Sequence, residues 1–266
     1  MTTEVAGVEV SRARRVGFYV VVFGALALVV FGLGELLLLG VVGWAGESAL
    51  EEATEPGAGV HLFHLLAHAL FAWLLLISLT AQLRHPGRQF AAAIFALAAM
   101  ITYSLGTLVS GVFDPLEVAA IVLLAAVVWL SPGREHAEIT PLRWRVLLAS
   151  IPILAAGVLV VAGELGRQVS GGATDEHAEF GHHGLMAAMA VIVILAALIG
   201  STSLPGRRLV ACLTVGSLVY LAVASILFSN QVSSLGVAGG LLALAMGLLY
   251  GWGALSERQS VTQVAQ

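Results

Sequence analysis

Hydrophobic residues in this chain fall into long continuous runs separated by short polar stretches, with no period-two alternation. The runs cover positions 16–44, 60–82, 89–112, 115–131, 145–166, 182–203, 207–229 and 234–254. Apolar runs of roughly 20 residues match the hydrocarbon thickness of a bilayer when they are helical. The pattern therefore predicts an all-α, polytopic integral membrane protein with eight transmembrane helices. The first run is long enough to tilt or to project past the membrane. Pro56, Pro86, Pro115, Pro132, Pro141 and Pro205 fall at or near the junctions, where proline costs least. Pro152 sits inside the fifth run and is expected to kink it.

Polar residues between the runs set an orientation. Arg12, Arg14 and Arg15 precede the first run, Arg84 and Arg88 lie between the second and third, and Arg134, Arg143 and Arg145 lie between the fourth and fifth. Arg207 and Arg208 follow the sixth, and Arg258 follows the eighth. An eight-crossing path puts all of these on one side and leaves only Arg167 opposite. By the positive-inside rule the arginine side is cytoplasmic, which predicts a multi-pass protein of the plasma membrane with both termini in the cytoplasm. The other face is acidic: Glu47, Glu51, Glu52 and Glu55 in the first loop, Asp114 and Glu117 in the second, and Asp175, Glu176 and Glu179 in the third. These read as a solvated rim, or as a funnel that concentrates cations.

The two halves read as a duplication. A shift of 119 positions places His64 on His183 and Pro86-Gly87-Arg88 on Pro205-Gly206-Arg207. A shift of 129 places Gly34-Glu35-Leu36 on Gly163-Glu164-Leu165. Each half has four crossings, an even number, so the halves share one orientation and are related by a pseudo-two-fold axis along the membrane normal. The expected organisation is a cytoplasmic segment 1–15, a four-helix repeat 16–132, a linker 133–144, a second repeat 145–254 and a cytoplasmic tail 255–266.

Composition narrows the chemistry. Hydrophobic residues make up 59% of the 266 and charged residues 11%, against roughly 25% charged in a soluble domain. The absence of lysine excludes a retinal or pyridoxal-phosphate Schiff base and a P-loop. Cys212 is the only cysteine, which excludes an intramolecular disulfide and a cysteine-rich metal or iron–sulfur centre. Arg12, Arg14 and Arg15 lead into a run too long for a cleavable signal, so the N-terminus reads as a retained first span.

The candidate site is a repeated pairing of a glutamate at the end of one run with histidines at the start of the next. Glu35 precedes His61, His64 and His68, and Glu164 precedes His177, His182 and His183. Ionisable groups are costly near a bilayer core and point to function by default. His61, His64 and His68 share one helical face, but His61 and His68 stand about 10 Å apart along the axis, too far for one ion without unwinding. His182 and His183 point about 100° apart, and His183, aligned with His64, is the better candidate of the two. His177 lies in a loop that can fold over the site.

Imidazole with carboxylate suits a transition metal: copper, zinc or iron. Glu35, His64, Glu164 and His183 are expected to touch the ion, with His61, His68, His177 and His182 assisting. Haem is a second reading, with His64 and His183 as axial ligands. Proton handling is a third, with the same residues as the protonation switch of a coupled transporter. A non-catalytic subunit of a larger membrane complex is the remaining class. Partners are the lipid bilayer, with other membrane subunits or a redox partner, and no nucleic acid. Tyr103, Ser104, Thr107 and Ser110, with Ser225, Ser229 and Asn230, read as glue between helices. His85 and His136 lie on the arginine side and carry no assigned role. No nucleophile motif or nucleotide-binding loop appears, so soluble-enzyme chemistry has no support.

Two four-helix halves bearing His and Glu resemble haem A synthase and, more loosely, membrane copper-resistance proteins. The resemblance is architectural, spans the eight runs and rests on no shared signature. Haem A synthase carries histidines on the second and fourth spans of each half. The fourth and eighth runs here contain none, so a haem with two histidine ligands in each half is not expected.

Overall fold

The computed structural model describes residues 11–46, 61–137, 142–171 and 175–256. The acidic positions Glu47, Glu51, Glu52 and Glu55, with Pro56 and Pro141 and most of both terminal segments, lie outside the described residues. Among the described residues all regular structure is helical. The order is α1 (Arg12–Gly32), α2 (Gly34–Gly43), α3 (Leu62–Arg84), α4 (Phe90–Val109) and α5 (Leu116–Leu130), then α6 (Trp144–Gly171), α7 (His182–Gly200), α8 (Arg207–Leu227) and α9 (Gly236–Ser256). All of these except α2 and α5 are long and apolar enough to cross a membrane, seven helices in total. This is the architecture of a multi-pass membrane protein.

Two departures from the hydrophobic pattern have local causes. The first run, 16–44, folds as two helices because the backbone leaves the helical region at Leu33 (φ −119°, ψ 9°). Gly32 and Gly34 flank that residue, and each weakens a helix by about 1 kcal/mol relative to alanine. The fifth run is longer than expected: α6 continues for 28 residues to Gly171, with Pro152 inside it.

The helices arrange into a centre and a periphery. In α3 and α7 the apolar window is 78% and 67% buried, against 22% in both α1 and α6. The histidine-bearing helices are thus the two most enclosed. α3 packs on α1, α2 and α4, while α7 packs on α6, α8 and α4. One large core runs along α3 and α4 around Phe63, Phe71, Leu75 and Phe95, and a smaller one sits between α6, α8 and α9 around Ile153, Leu218 and Tyr250.

Glycine permits two close approaches. Gly206 adopts a positive φ of 87°, and a Cβ there would lie 2.6 Å from the Cα of Gln89. This lets the Pro205-Gly206-Arg207 junction meet the Pro86-Gly87-Arg88 junction, where the Ala91 N–H donates to the Pro205 carbonyl at 2.8 Å. At the α4–α7 crossing a Cβ on Gly184 would stand 2.0 Å from Ser110 Oγ, so a methyl group there would force Ser110 or the helices to shift.

Candidate functional site

Six histidines from three segments converge at one end of the bundle. α3 begins just after His61, and its first two turns carry His64 and His68. α7 opens on His182 and His183, following Gly181 at φ 74°. Between α6 and α7 a single helical turn, Glu176–Glu179, is capped by Asp175, whose Oδ1 accepts from the His177 N–H at 3.0 Å. That cap holds His177 over the ends of α3 and α7. Gln168 on α6 ties the pieces together: its Nε2 donates to the Ala178 carbonyl at 2.7 Å and its Oε1 accepts from the Gly184 N–H at 3.0 Å. Ser110 adds a link from α4, donating to the Gly181 carbonyl at 3.1 Å.

The cluster has two parts. In the first, the rings of His61, His64, His177 and His182 form a compact group whose six centroid separations run from 4.0 to 5.9 Å. His64 Nδ1, His61 Nε2 and His182 Nδ1 are buried without a hydrogen-bond partner, and so is His68 Nε2 at the edge of the group. Leaving a buried polar atom unpaired costs about 1–3 kcal/mol, so four together are a substantial cost.

In the second part, carboxylates and a hydroxyl hold His183. Its Nδ1 lies 2.6 Å from Glu164 Oε2 and its Nε2 lies 3.3 Å from Asp175 Oδ2. Ser233 Oγ–H donates to Glu164 Oε2 at 3.0 Å, and Arg167 donates to Glu164 Oε1 at 3.0 Å. Because the Ser233 proton is committed to Glu164, its oxygen accepts from His64 Nε2–H at 3.1 Å. That hydrogen bond selects the Nε2–H tautomer of His64 and leaves the lone pair on Nδ1, the nitrogen without a partner.

Electrostatics outside the helical spans follow the packing. Burial, then the neighbouring His177, holds His61 below the usual imidazole range, against a weaker upward pull from Glu176 and Asp175. At Asp175 burial acts upward, but the hydrogen bonds from the His177 N–H and from His183 outweigh it and hold the carboxyl below its usual value.

The structure brings His61, His64, His68, Glu164, His177, His182 and His183 to one place. Glu35 stands apart: it is exposed on the first turn of α2 and makes no hydrogen bond or ion pair to another described residue. Two further residues, Ser233 and Asp175, belong to the site, and a third acidic position departs from the sequence expectation. Ser233 bridges the two halves from the loop before α9, with a strained φ of 63°, and nothing in its sequence context marks it. Asp175 carries a recognisable signal, an N-cap aspartate two residues before a histidine. Glu117, at the start of α5, is buried and accepts from Thr107 Oγ1 at 2.8 Å rather than forming part of a solvated rim. Among the described residues no three His, Cys, Asp or Glu side chains stand as a ready-made metal-coordination group. In comparisons with known proteins, no family model, curated protein or solved structure matches this chain.

Proposed function

We propose that this chain is a plasma-membrane protein that binds one transition-metal ion, copper, zinc or iron, within the imidazole group at the convergence of α3 and α7. Its role would lie in copper or haem handling or in membrane electron transfer. The observation that carries this reading is the spacing of His61, His64, His177 and His182. A metal–nitrogen bond of about 2.0 Å puts an imidazole centroid about 3 Å from the ion, so tetrahedral ligands have centroids about 5 Å apart. The six separations of 4.0–5.9 Å bracket that value. Binding would require these rings to rotate, with the unpartnered nitrogens of His61, His64 and His182 as the available donors. His183 then acts as a supporting residue, since both its nitrogens face carboxylate oxygens. The same fact makes haem the weaker alternative, because an axial role would require one of those nitrogens.

We further read the fold as eight crossings in two repeats. α5 has 15 residues and is about 22 Å long, short for a span. It nonetheless runs from the histidine side, where Glu117 meets Thr107, to the arginine side, where Arg14 of α1 donates to the Leu130 and Ser131 carbonyls at 3.3 and 3.0 Å. The packing of the halves corresponds as well: α1 with α5 and α6 with α9, α3 with α4 and α7 with α8, α4 with α5 and α8 with α9. The equivalent residues His64 and His183 lie 6.3 Å apart at one end of the bundle, and the equivalent Pro-Gly-Arg junctions meet at the other. An axis along the bundle through both points relates the halves. The arginine side is cytoplasmic on the positive-inside rule.

The test is elemental mass spectrometry on protein purified in detergent without a histidine tag. Near-stoichiometric copper, zinc or iron is expected, with His64→Ala and His182→Ala lowering it several-fold. Wild-type metal content in both variants would overturn the reading. A second reading, proton handling, has its own support in the hydrogen-bonded chain from His64 through Ser233, Glu164 and His183 to Asp175. Proton flux in proteoliposomes that is abolished by Glu164→Gln, in a protein without metal, would favour it.

A further inference from the structure

A cavity lies beside the histidine cluster and shares His182 and His68 with its edge. It has a volume of about 360 Å³ and is lined by α1, α3, α4 and α5, with Phe180 and the start of α7 at one end. Most of its wall is apolar, with Ala25, Leu28, Val29, Leu75, Met100 and Leu124 along its length. One end is polar, formed by His68, Tyr103, Thr107, Asp114, Glu117 and His182. Small-molecule sites have this character, an apolar chamber of a few hundred Å³ with a few converging polar groups.

Three features define what fits. The chamber lies among membrane-crossing helices, so its ligand partitions from lipid. Tyr103 and Phe71, which both line the cavity, stack with centroids 4.1 Å apart and planes 1° from parallel. Phe71 is fully buried and backs the Tyr103 ring, which keeps a slight exposure and fixes a flat aromatic group at the cavity wall. At the polar end His68 Nε2 is buried without a partner, and the Tyr103 hydroxyl makes no hydrogen bond to another described residue. The buried Glu117 carboxylate, which accepts from Thr107, lines the same cavity. Donors and a proton acceptor together match a ring that carries carbonyl or hydroxyl oxygens. A fatty acid or phospholipid would instead bring its negative head against Glu117 and Asp114, which is unfavourable.

We propose that this cavity binds the ring of a lipid-soluble quinone or quinol, with an oxygen at Tyr103 and His68 and the first part of its tail along α1 and α5. The proposal does not rest on the metal reading, and the test uses metal-free protein. Purified, delipidated protein in detergent is titrated with a short-chain alkyl benzoquinone by equilibrium dialysis. Saturable binding of one quinone per chain is expected. Ala120→Trp, which fills the chamber, weakens it at least tenfold. Tyr103→Phe keeps the ring stack, removes the hydroxyl and weakens binding several-fold, with an unchanged size-exclusion profile. Absence of saturable binding in the wild type would overturn the proposal, as would equal binding by both variants. So would displacement of the quinone by phospholipid at the same concentration, which would identify the cavity as an acyl-chain groove.

Discussion

Glu164 Oε2 lies 2.6 Å from His183 Nδ1, joining the C-terminal third of α6 to the start of α7 inside the bundle. The glutamate is 5% exposed and the histidine 1%. Removing one member of such a buried pair strands the other, at a cost on the order of 3 kcal/mol. Glu164→Ala is therefore expected to lower the thermal midpoint sharply and to cut metal content, because Ser233 and through it His64 lose their anchor. Glu164→Gln preserves shape and part of the hydrogen bonding, so its melt falls between wild type and Glu164→Ala. Melts of the two variants that coincide would show that the pair contributes no charge-dependent stability.

Ser233 combines two opposing effects at one residue. Its φ of 63° is a conformation that disfavours any side chain, while its hydroxyl contacts Glu164, His64 and His183 at 3.0, 3.1 and 3.4 Å. The backbone strain costs on the order of 1 kcal/mol. Losing the buried hydrogen bonds costs about 1–3 kcal/mol. Ser233→Gly loses the bonds but relieves the strain, and Ser233→Ala loses the bonds and keeps the strain. The expected order of thermal stability is wild type, then Ser233→Gly, then Ser233→Ala. Ser233→Gly more stable than wild type would mean the hydroxyl holds nothing together.

Hydrophobic run length marked seven helices of membrane length, because burial in lipid demands about 20 consecutive apolar residues regardless of tertiary detail, while the fourth run gives a helix of only 15 residues. The break at Leu33 was not visible, since glycines are frequent in membrane helices that do not break, such as Gly157 and Gly163 of α6. The histidines stood out by type and spacing. Their grouping did not, because the separation of His64 from His182 depends on how α3 and α7 pack, which no run of residues encodes. Glu35 and Glu164 share the same Gly-Glu-Leu context, yet one is exposed and the other buried. The Leu33 break sets the first on a separate short helix, while α6 carries the second unbroken into the cluster. Ser233 was invisible because a serine in a loop carries no signal of its own.

Acid should destabilise the metal-free protein in two stages. The folded-state value of His61 is below 6.5, so below that pH the unfolded chain takes up more protons than the folded one. Its contribution is complete above the unfolded value and declines as pH falls through the range beneath it. Asp175 is held below 3.8, so its contribution is intact above that value and is lost only at lower pH. Around His61 stand His64, His177 and His182, with Asp175 and Glu176, so it titrates within a crowded set. Thermal midpoints measured from pH 7 to pH 5 are expected to fall, with a shallower slope in His61→Ala. Identical slopes in the two proteins would remove His61 from the account.

The α4–α7 crossing supplies the sharpest steric test. A Cβ at Gly184 would lie 2.0 Å from Ser110 Oγ and 3.1 Å from the Gly106 carbonyl, so alanine forces either the Ser110 rotamer or the helices to move. Ser110 also donates to the Gly181 carbonyl at the entry to α7. Displacing it loosens the turn that aims His182 and His183. Gly216 of α8 has open space around its would-be Cβ. There alanine gains helix propensity, up to about 1 kcal/mol. The two substitutions add the same methyl group with opposite expected signs. Gly184→Ala lowers both the thermal midpoint and the metal content, while Gly216→Ala leaves metal content unchanged and raises the midpoint slightly. Double substitution with Ser110→Gly, which removes the clashing hydroxyl, restores part of the loss if the crossing is as close as the distances indicate. A Gly184→Ala protein that melts and binds metal like wild type would show that the cluster tolerates a wider crossing.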